Sequence, residues 1–367
     1  MAWVGLVIVA ARERASSSAR SGSVRGAVRR VVSAPQAYNG VIRSQLADLQ
    51  RARILSATFD MCSERGVGNV SVAHVVERAG VSRRTFYELF SDREDCLLAA
   101  FWDAVSYASE RVLPAYESEK GWREKIRAGL SALLSFFDEQ PSMGRLLIVE
   151  SLAGGPATQK ARSEIVAALT RVIERGREQA KTGTAVPSLM GEGIVGGVLS
   201  VIQSRLIAED GKPLVELTNP LMSLIVLPYL GSAAARRELG RPVAAPVSGV
   251  VGGATRLSDP FKDAGMRLTY RTVRVLSAIA DLGGRGINPS NRLVGDTAEV
   301  GDPGQISKLL SRLERVGMIS NTGLGPGTGA PNAWTLTAGG RRVADSFRAH
   351  TEEHVTRLSL KDGCDDR

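Results

Sequence analysis

The chain of 367 residues is long enough for two or three cores, and with 43% hydrophobic and 23% charged residues it has the make-up of a water-soluble globular protein. Its three cysteines (Cys62, Cys96, Cys364) are odd in number and far apart, which argues against a disulfide framework or a zinc site. The net charge of +9 is uneven: +6 over residues 1–44, −1 over 45–97, +1 over 98–264, +5 over 265–350 and −2 over 351–367, so two separate stretches suit a polyanion.

In chain order, the apolar run over residues 3–11 is too short to cross a bilayer and has no basic residue before it, so neither a membrane segment nor a signal peptide is expected. The uncharged stretch from Leu221 is also short and is interrupted by Pro228. Residues 1–44 read as a basic, disordered tail; residues 1–30 read equally well as sequence ahead of the true start codon.

Residues 45–97 predict three short helices separated by Gly66–Asn69 and Gly80–Ser82. Ile54, Leu55, Thr58, Met61 and Cys62 share one face of the first. Ser71 is placed to cap the second, whose apolar face holds Val72, Val75, Val76 and Ala79. Gly80 suits the positive φ of a tight turn, and Ser82 caps a third helix that buries Phe86, Leu89 and Phe90. The apolar positions lie in the second half of that helix, so Ser82, Arg83, Arg84 and Thr85 at its start are free to project. This is the pattern of a helix-turn-helix.

Residues 98–238 are helical throughout, with breaks at Pro114, Pro141, Gly154–Pro156, 183–187 and 213–220. Trp102, Tyr107, Phe136 and Phe137, with Glu150 and Gln203, are the candidates for lining a small-molecule pocket. Residues 239–264 read as a linker. In 265–350, a helix over 267–282 precedes a short one after Pro289 and a strong one over 303–316, with Asp302 as cap and Pro303 at its first position. Ile306, Leu309, Leu310, Leu313 and Val316 form its buried stripe. Lys308, Arg312 and Arg315 form another stripe, with Gln305 and Ser307 near the helix start. A glycine-rich hairpin without Lys or Arg and a closing helix follow, and residues 351–367 are an acidic tail. The unit is expected to fold alone as residues 262–355.

No Ser/His/Asp or Cys/His constellation points to an enzyme, and no cofactor is expected. The only histidines are His74, His350 and His354, and the last two read as part of a solvated helix rather than a metal site.

Glu64-Arg65-Gly66, Ala79–Ser82, and Thr85-Phe86-Tyr87 with Phe90 together resemble the DNA-binding domain of TetR-family regulators. The resemblance implies groove contacts by Ser82, Arg83, Arg84 and Thr85, and phosphate contacts by Ser71, Tyr87 and Arg93, the last standing where the family usually has Lys. Glu88 departs from the pattern, since a carboxylate there repels phosphate. Residues 98–238 resemble the family's ligand-binding and dimerisation part in helical pattern and in the closing "LPYLGSAAARREL". In that family two late helices pair with their twofold mates; here these are 188–208 and 219–238, with Gly193, Gly196 and Gly197 permitting close approach. Residues 265–350, ending in Leu336-Thr337 and Gly340, resemble a MarR-like winged helix.

The expected fold is therefore mainly α: a TetR-like three-helix domain, an all-α ligand and dimerisation domain, and a small α+β winged-helix domain. The implied protein is a cytoplasmic, nucleoid-associated repressor that binds double-stranded DNA as a homodimer and responds to an unknown small-molecule effector. The second module adds DNA contacts; the alternative is an adaptor whose winged helix mediates dimer or partner binding.

Overall fold

The structure, a computed structural model, describes residues 34–180, 186–208, 211–242, 269–323 and 332–345. The described residues fall into two compact units. The first takes Ile54–Arg78 and 86–242; the second takes 34–53, Ala79–Thr85 and 269–345. A single 32-residue helix, α1 (Ala34–Arg65), contributes to both. It begins well inside the stretch that composition assigns to a tail ending at residue 44. The tip of the glycine-rich hairpin, His350, His354 and Cys364 lie outside the described residues.

After α1, the chain forms α2 (Val72–Ala79), α3 (Arg83–Leu89), α4 (Arg93–Glu117), α5 (Trp122–Glu139) and α6 (Pro141–Ile148). Then come α7 (Pro156–Glu174), α8 (Met190–Ala208), α9 (Thr218–Leu230) and α10 (Ser232–Leu239). The turns between α1 and α3 depend on backbone that L side chains resist: Gly66 has φ 75° and Gly80 φ 64°. Asp92 starts α4 by accepting the Asp95 N–H at 2.8 Å, and Glu94 and Asp95 place negative charge in the first turn, where the helix dipole favours it. Pro114 does not end α4, as the sequence suggests; it falls in the last turn, where little helix remains to disrupt.

In the first unit, Ile54, Phe86, Phe90, Leu134, Phe137, Leu146 and Tyr229 are essentially removed from water. Two carboxylates, one buried and one half-buried, fasten the later helices. The Glu238 side chain on α10 is fully buried and meets Arg127 of α5 at 2.5 Å, with Arg123 and Arg241 at 3.6 and 3.7 Å. Glu174 at the end of α7 accepts the Gly191 N–H of α8 at 2.6 Å, and its hydrogen bond with Arg177 holds its carboxyl below the usual carboxylate range. A Cβ on Gly191 would lie 2.3 Å from that carboxylate, so the capping contact requires glycine.

The second unit is built from α11 (Tyr270–Gly284), α12 (Asn291–Thr297), α13 (Pro303–Arg315) and an antiparallel pair, β1 (Ile319–Asn321) and β2 (Trp334–Leu336), with Ile319 opposite Leu336. Residues 338–345 are helical. Each helix start is capped by its own sequence: Thr269 accepts the Thr272 N–H, Ser290 that of Leu293, and Asp302 those of Gly304 and Gln305. The core gathers Val273, Leu276, Ile279, Val294, Ile306, Leu310, Leu313, Met318, Trp334 and Val343. It also takes Leu46 and Leu49 from α1, each about 5% exposed. Two members of this core thus lie outside residues 262–355, the fragment expected to fold alone.

Phe86 is 1% exposed, and truncating it opens a cavity that the surrounding helices fill only in part. Phe86→Ala is expected to cost about 3–5 kcal/mol of stability, measured as a shift of the first unit's unfolding in urea.

Candidate functional site

The helix-turn-helix is set by local hydrogen bonds. Ser71 and His74 cap α2 reciprocally: Ser71 Oγ accepts the His74 N–H and His74 Nδ1 accepts the Ser71 N–H, both at 3.3 Å. Sequence reading found Ser71 but not the part played by His74. Ser82 Oγ accepts the Thr85 N–H at 3.0 Å and shares a 2.8 Å hydrogen bond with its hydroxyl. Helix α3 has only seven residues, and Phe86 and the following Phe90 turn inward. Arg83 and Arg84 are exposed in its first turn, while Ser82 and Thr85 are half-buried by their mutual bonds. Tyr87 is 57% exposed, with its ring edge-on to Phe86. Glu88 is also exposed, one turn from Arg84.

Arg93 has a structural task. Its Nη1 donates to the carbonyls of Val67 (3.0 Å) and Val70 (3.1 Å), and its Nη2 meets Glu94 at 2.5 Å. Glu94 in turn accepts the Gly155 N–H at 3.1 Å, at the start of α7. Glu150 follows α6 and is 8% exposed; its Oε2 accepts the Val67 N–H at 2.8 Å. The turn between α1 and α2 is thus held from both sides, its carbonyls by Arg93 and its first N–H by Glu150. Burial pushes the neighbouring Cys62 thiol up to about 12, and the Glu150 charge adds to the effect.

A cavity of about 180 Å³ lies among α4, α5, α6, α7 and α8. Phe101, Val105, Phe137, Ile148, Ile165 and Leu199 are among its walls, and Arg162 is the one charged side chain on them. The Ser109 hydroxyl, also on the wall, already donates to the Val105 carbonyl at 2.7 Å. Of the six residues expected to form a pocket, Phe137 alone lines this cavity. Trp102 packs with Phe101 and Ala161 next to it. Phe136 is buried, Tyr107 and Gln203 are half-buried off its walls, and Glu150 faces Val67. The cavity residues follow a helical period on α4 and α7, but many such stripes exist in an all-helical chain. Nothing local marks the one that stays unfilled.

The later helices expose apolar side chains: Val201 and Ile207 on α8, Leu224 and Leu227 on α9. Gly193 and Gly196 have open space where a side chain would stand, and Gly197 lies opposite Leu224.

In the second unit, Lys308, Arg312 and Arg315 are exposed along α13. Gln305 and Ser307 are already engaged: Gln305 Oε1 accepts from Arg271 at 2.7 Å, and Ser307 Oγ accepts from Asn291 at 3.2 Å. Asn291 also accepts the Trp334 indole N–H at 2.6 Å, which ties the start of α12 to β2. Among the described residues, no cluster of His, Cys, Asp or Glu is arranged to hold a metal ion, and no helix is long and apolar enough to cross a membrane.

Residues 54–100 match the family of bacterial regulatory proteins described as the tetR family. The matched stretch takes in the second part of α1, α2, α3 and the start of α4. The HTH-type transcriptional activator FasR of Mycolicibacterium smegmatis is 29% identical over 104 residues, 28% of this chain and 47% of that protein. The chain thus spans about half the length of this curated relative. Among solved structures, the fatty acid degradation regulator FadR of Bacillus halodurans is similar at 16% identity, covering 48% of this chain and 94% of the other, with a TM-score of 0.44. FadR of Bacillus subtilis, solved with stearoyl-CoA, is similar at 20% identity, covering 47% and 96%, with a TM-score of 0.42.

Removing the Glu150 carboxylate leaves the Val67 N–H without its partner in a site closed to water. Glu150→Ala is expected to cost about 1–3 kcal/mol and to speed hydrogen exchange at the Val67 amide. Unchanged exchange there would show that the bond does not hold the turn.

Proposed function

We propose that this chain is a ligand-responsive, DNA-binding regulator of transcription, acting in the cytoplasm at the nucleoid as a homodimer. The observation that carries the reading is the exposed Arg83–Arg84 pair at the start of a short, Ser-capped helix in a tetR-type segment. An arginine there reaches O6 and N7 of guanine with two parallel hydrogen bonds, while Ser82, Thr85, Ser71 and Tyr87 supply further groove and phosphate contacts. Arg93 contributes by holding the turn in place. The exposed apolar residues of α8 and α9, with the open glycines beside them, support pairing with a second copy, which sets the spacing of two recognition helices.

The cavity is the effector site in this reading. Its wall on α4 runs from Phe101 to Leu113 and that on α7 from Arg162 to Val172, which is roughly 15–18 Å of helix at 1.5 Å per residue. An apolar space with walls of that length and one cation fits an extended hydrocarbon chain bearing an acidic group. Two of its walls end at hydrogen bonds near the helix-turn-helix: Glu150, just after α6, holds the turn before α2, and Gly155, just before α7, bonds Glu94 in the first turn of α4. An occupant that shifts either wall changes the equilibrium between DNA-competent and released geometries by the difference in its affinity for the two. The chain acts as a repressor where its operator overlaps a promoter. The C-terminal unit, read as a winged helix, adds phosphate contacts through Lys308, Arg312 and Arg315.

Two measurements test this. On a duplex selected from genomic fragments, Arg84→Ala is expected to weaken specific binding by about 1–3 kcal/mol with thermal stability unchanged; a chain that selects no duplex is not a regulator of this kind. Dodecanoate is expected to raise the thermal midpoint of the wild-type chain and to lose at least tenfold in affinity with Arg162→Gln. Equal binding of dodecanol and dodecanoate would remove Arg162 from the effector site.

A further inference from the structure

Helix α13 sorts its side chains by face. Ile306, Leu310 and Leu313 turn into the core of the second unit, while Lys308, Arg312 and Arg315 are all exposed. At 3.6 residues per turn these three lie within about 60° of one another, on the side opposite the buried residues. Their neighbours one turn away are each other, at i, i+4 and i, i+3, and like charges at such spacings destabilise a helix. Glu314, the one acidic side chain within α13, falls about a third of a turn off the stripe. Other arginines of the unit are matched: Arg274 with Glu299 at 2.8 Å, Arg292 with Asp296 at 3.9 Å, and Arg271 with the Gln305 oxygen at 2.7 Å. Among the described residues, Lys308, Arg312 and Arg315 make no ion pair.

We propose that this stripe is a sequence-indifferent grip on the phosphate backbone of duplex DNA, so that the second unit adds affinity to the chain and no base specificity. The inference rests on the DNA-binding reading above and deepens it, since phosphate contact becomes all that α13 supplies. Lys308 to Arg315 span roughly 10 Å of helix, a length along which one strand of a duplex presents about three phosphates. No large apolar side chain of α13 is exposed. The face therefore lacks the apolar centre that a protein partner uses, whereas a row of phosphates needs only charge. The start of the helix, from which bases would be read, is spent. Adenine is recognised by an amide that offers its oxygen and nitrogen together, and the Gln305 oxygen already accepts from Arg271. Ser307 Oγ accepts from Asn291, which is itself tied to Trp334.

The test uses the full chain, an operator duplex selected from random sequence by the wild-type protein, and a duplex of scrambled sequence. Affinity for each is followed across a range of salt concentrations for wild type, Lys308→Ala/Arg312→Ala/Arg315→Ala and Arg312→Lys/Arg315→Lys. All three positions are exposed, so thermal midpoints are expected to stay put. The triple alanine variant is expected to weaken binding to both duplexes by the same factor. Its slope of log affinity against log salt should be shallower by roughly 2–3 on each. Each single alanine variant should remove about one unit of slope, reading the same contact with less disturbance. The lysine variant is expected to match wild type on both duplexes, because phosphate accepts a point charge while guanine requires the arginine fork. Unchanged affinity and slope in the triple variant overturns the phosphate contact and leaves the stripe to water or to an acidic protein. Loss of operator preference in the triple or the lysine variant overturns the sequence-indifferent mode, since α13 then reads bases. A wild-type chain that selects no operator removes the regulator reading itself, while the slope on the scrambled duplex still decides whether the stripe meets phosphate.

Discussion

A buried carboxylate on one backbone N–H is the constraint on which the first unit turns. Glu150 is almost closed to solvent, and a carboxylate there needs donors. It has the Val67 N–H at 2.8 Å, at a turn where Gly66 adopts positive φ and Arg93 grips the following carbonyls. Losing any one of these partners leaves a charged or polar group unpaired, so the turn and the end of α6 hold their positions together. That turn sets the angle between α1 and α2, and α2 carries the packing against which α3 presents its arginines.

The same economy of contacts explains why α3 can be so short. A seven-residue helix has no stability of its own and depends on tertiary packing. Phe86 and the Phe90 just beyond its end provide this from the second half, and the Ser82 cap satisfies the N-terminal donors. Arg83 and Arg84 in the first turn are then exposed, as a surface that meets another molecule requires. The cavity among α4 to α8 shows the converse. Its walls are large aliphatic and aromatic side chains in a well-packed unit, yet they leave about 180 Å³ unfilled, a volume that costs stability unless an occupant restores the lost contacts.

In the second unit, the hydrogen-bonding of Asn291 has a comparable role. It accepts from the Trp334 indole and donates to Ser307, so the start of α12, the start of α13 and the strand β2 are fixed to one another. Gln305 and Ser307, near the start of α13, are partly spent on this framework and on Arg271. The basic stripe further along the helix is the part of its surface that remains outward.

The sequence by itself determined whatever depends on neighbours within about four residues. The apolar period predicted most of the helices, though not the start of α1 at Ala34; Ser71, Ser82 and Asp302 were legible as caps, Gly80 as a positive-φ turn, and the outward start of α3 followed from where Phe86 and Phe90 fall. Only the tertiary structure decided which distant groups meet. Glu150 is 83 residues from Val67, so from the sequence it looked like a pocket residue when its partner was a backbone N–H. Leu46 and Leu49 have the spacing of any buried helical stripe, and nothing near them indicates that what covers them begins more than two hundred residues later, at Tyr270. The cavity was equally hidden, because an unfilled space is a property of several helices together and none of them carries a local mark of it. Local rules act through hydrogen bonds and periodicity along one segment, whereas burial, charge pairing and voids arise only when segments are brought together.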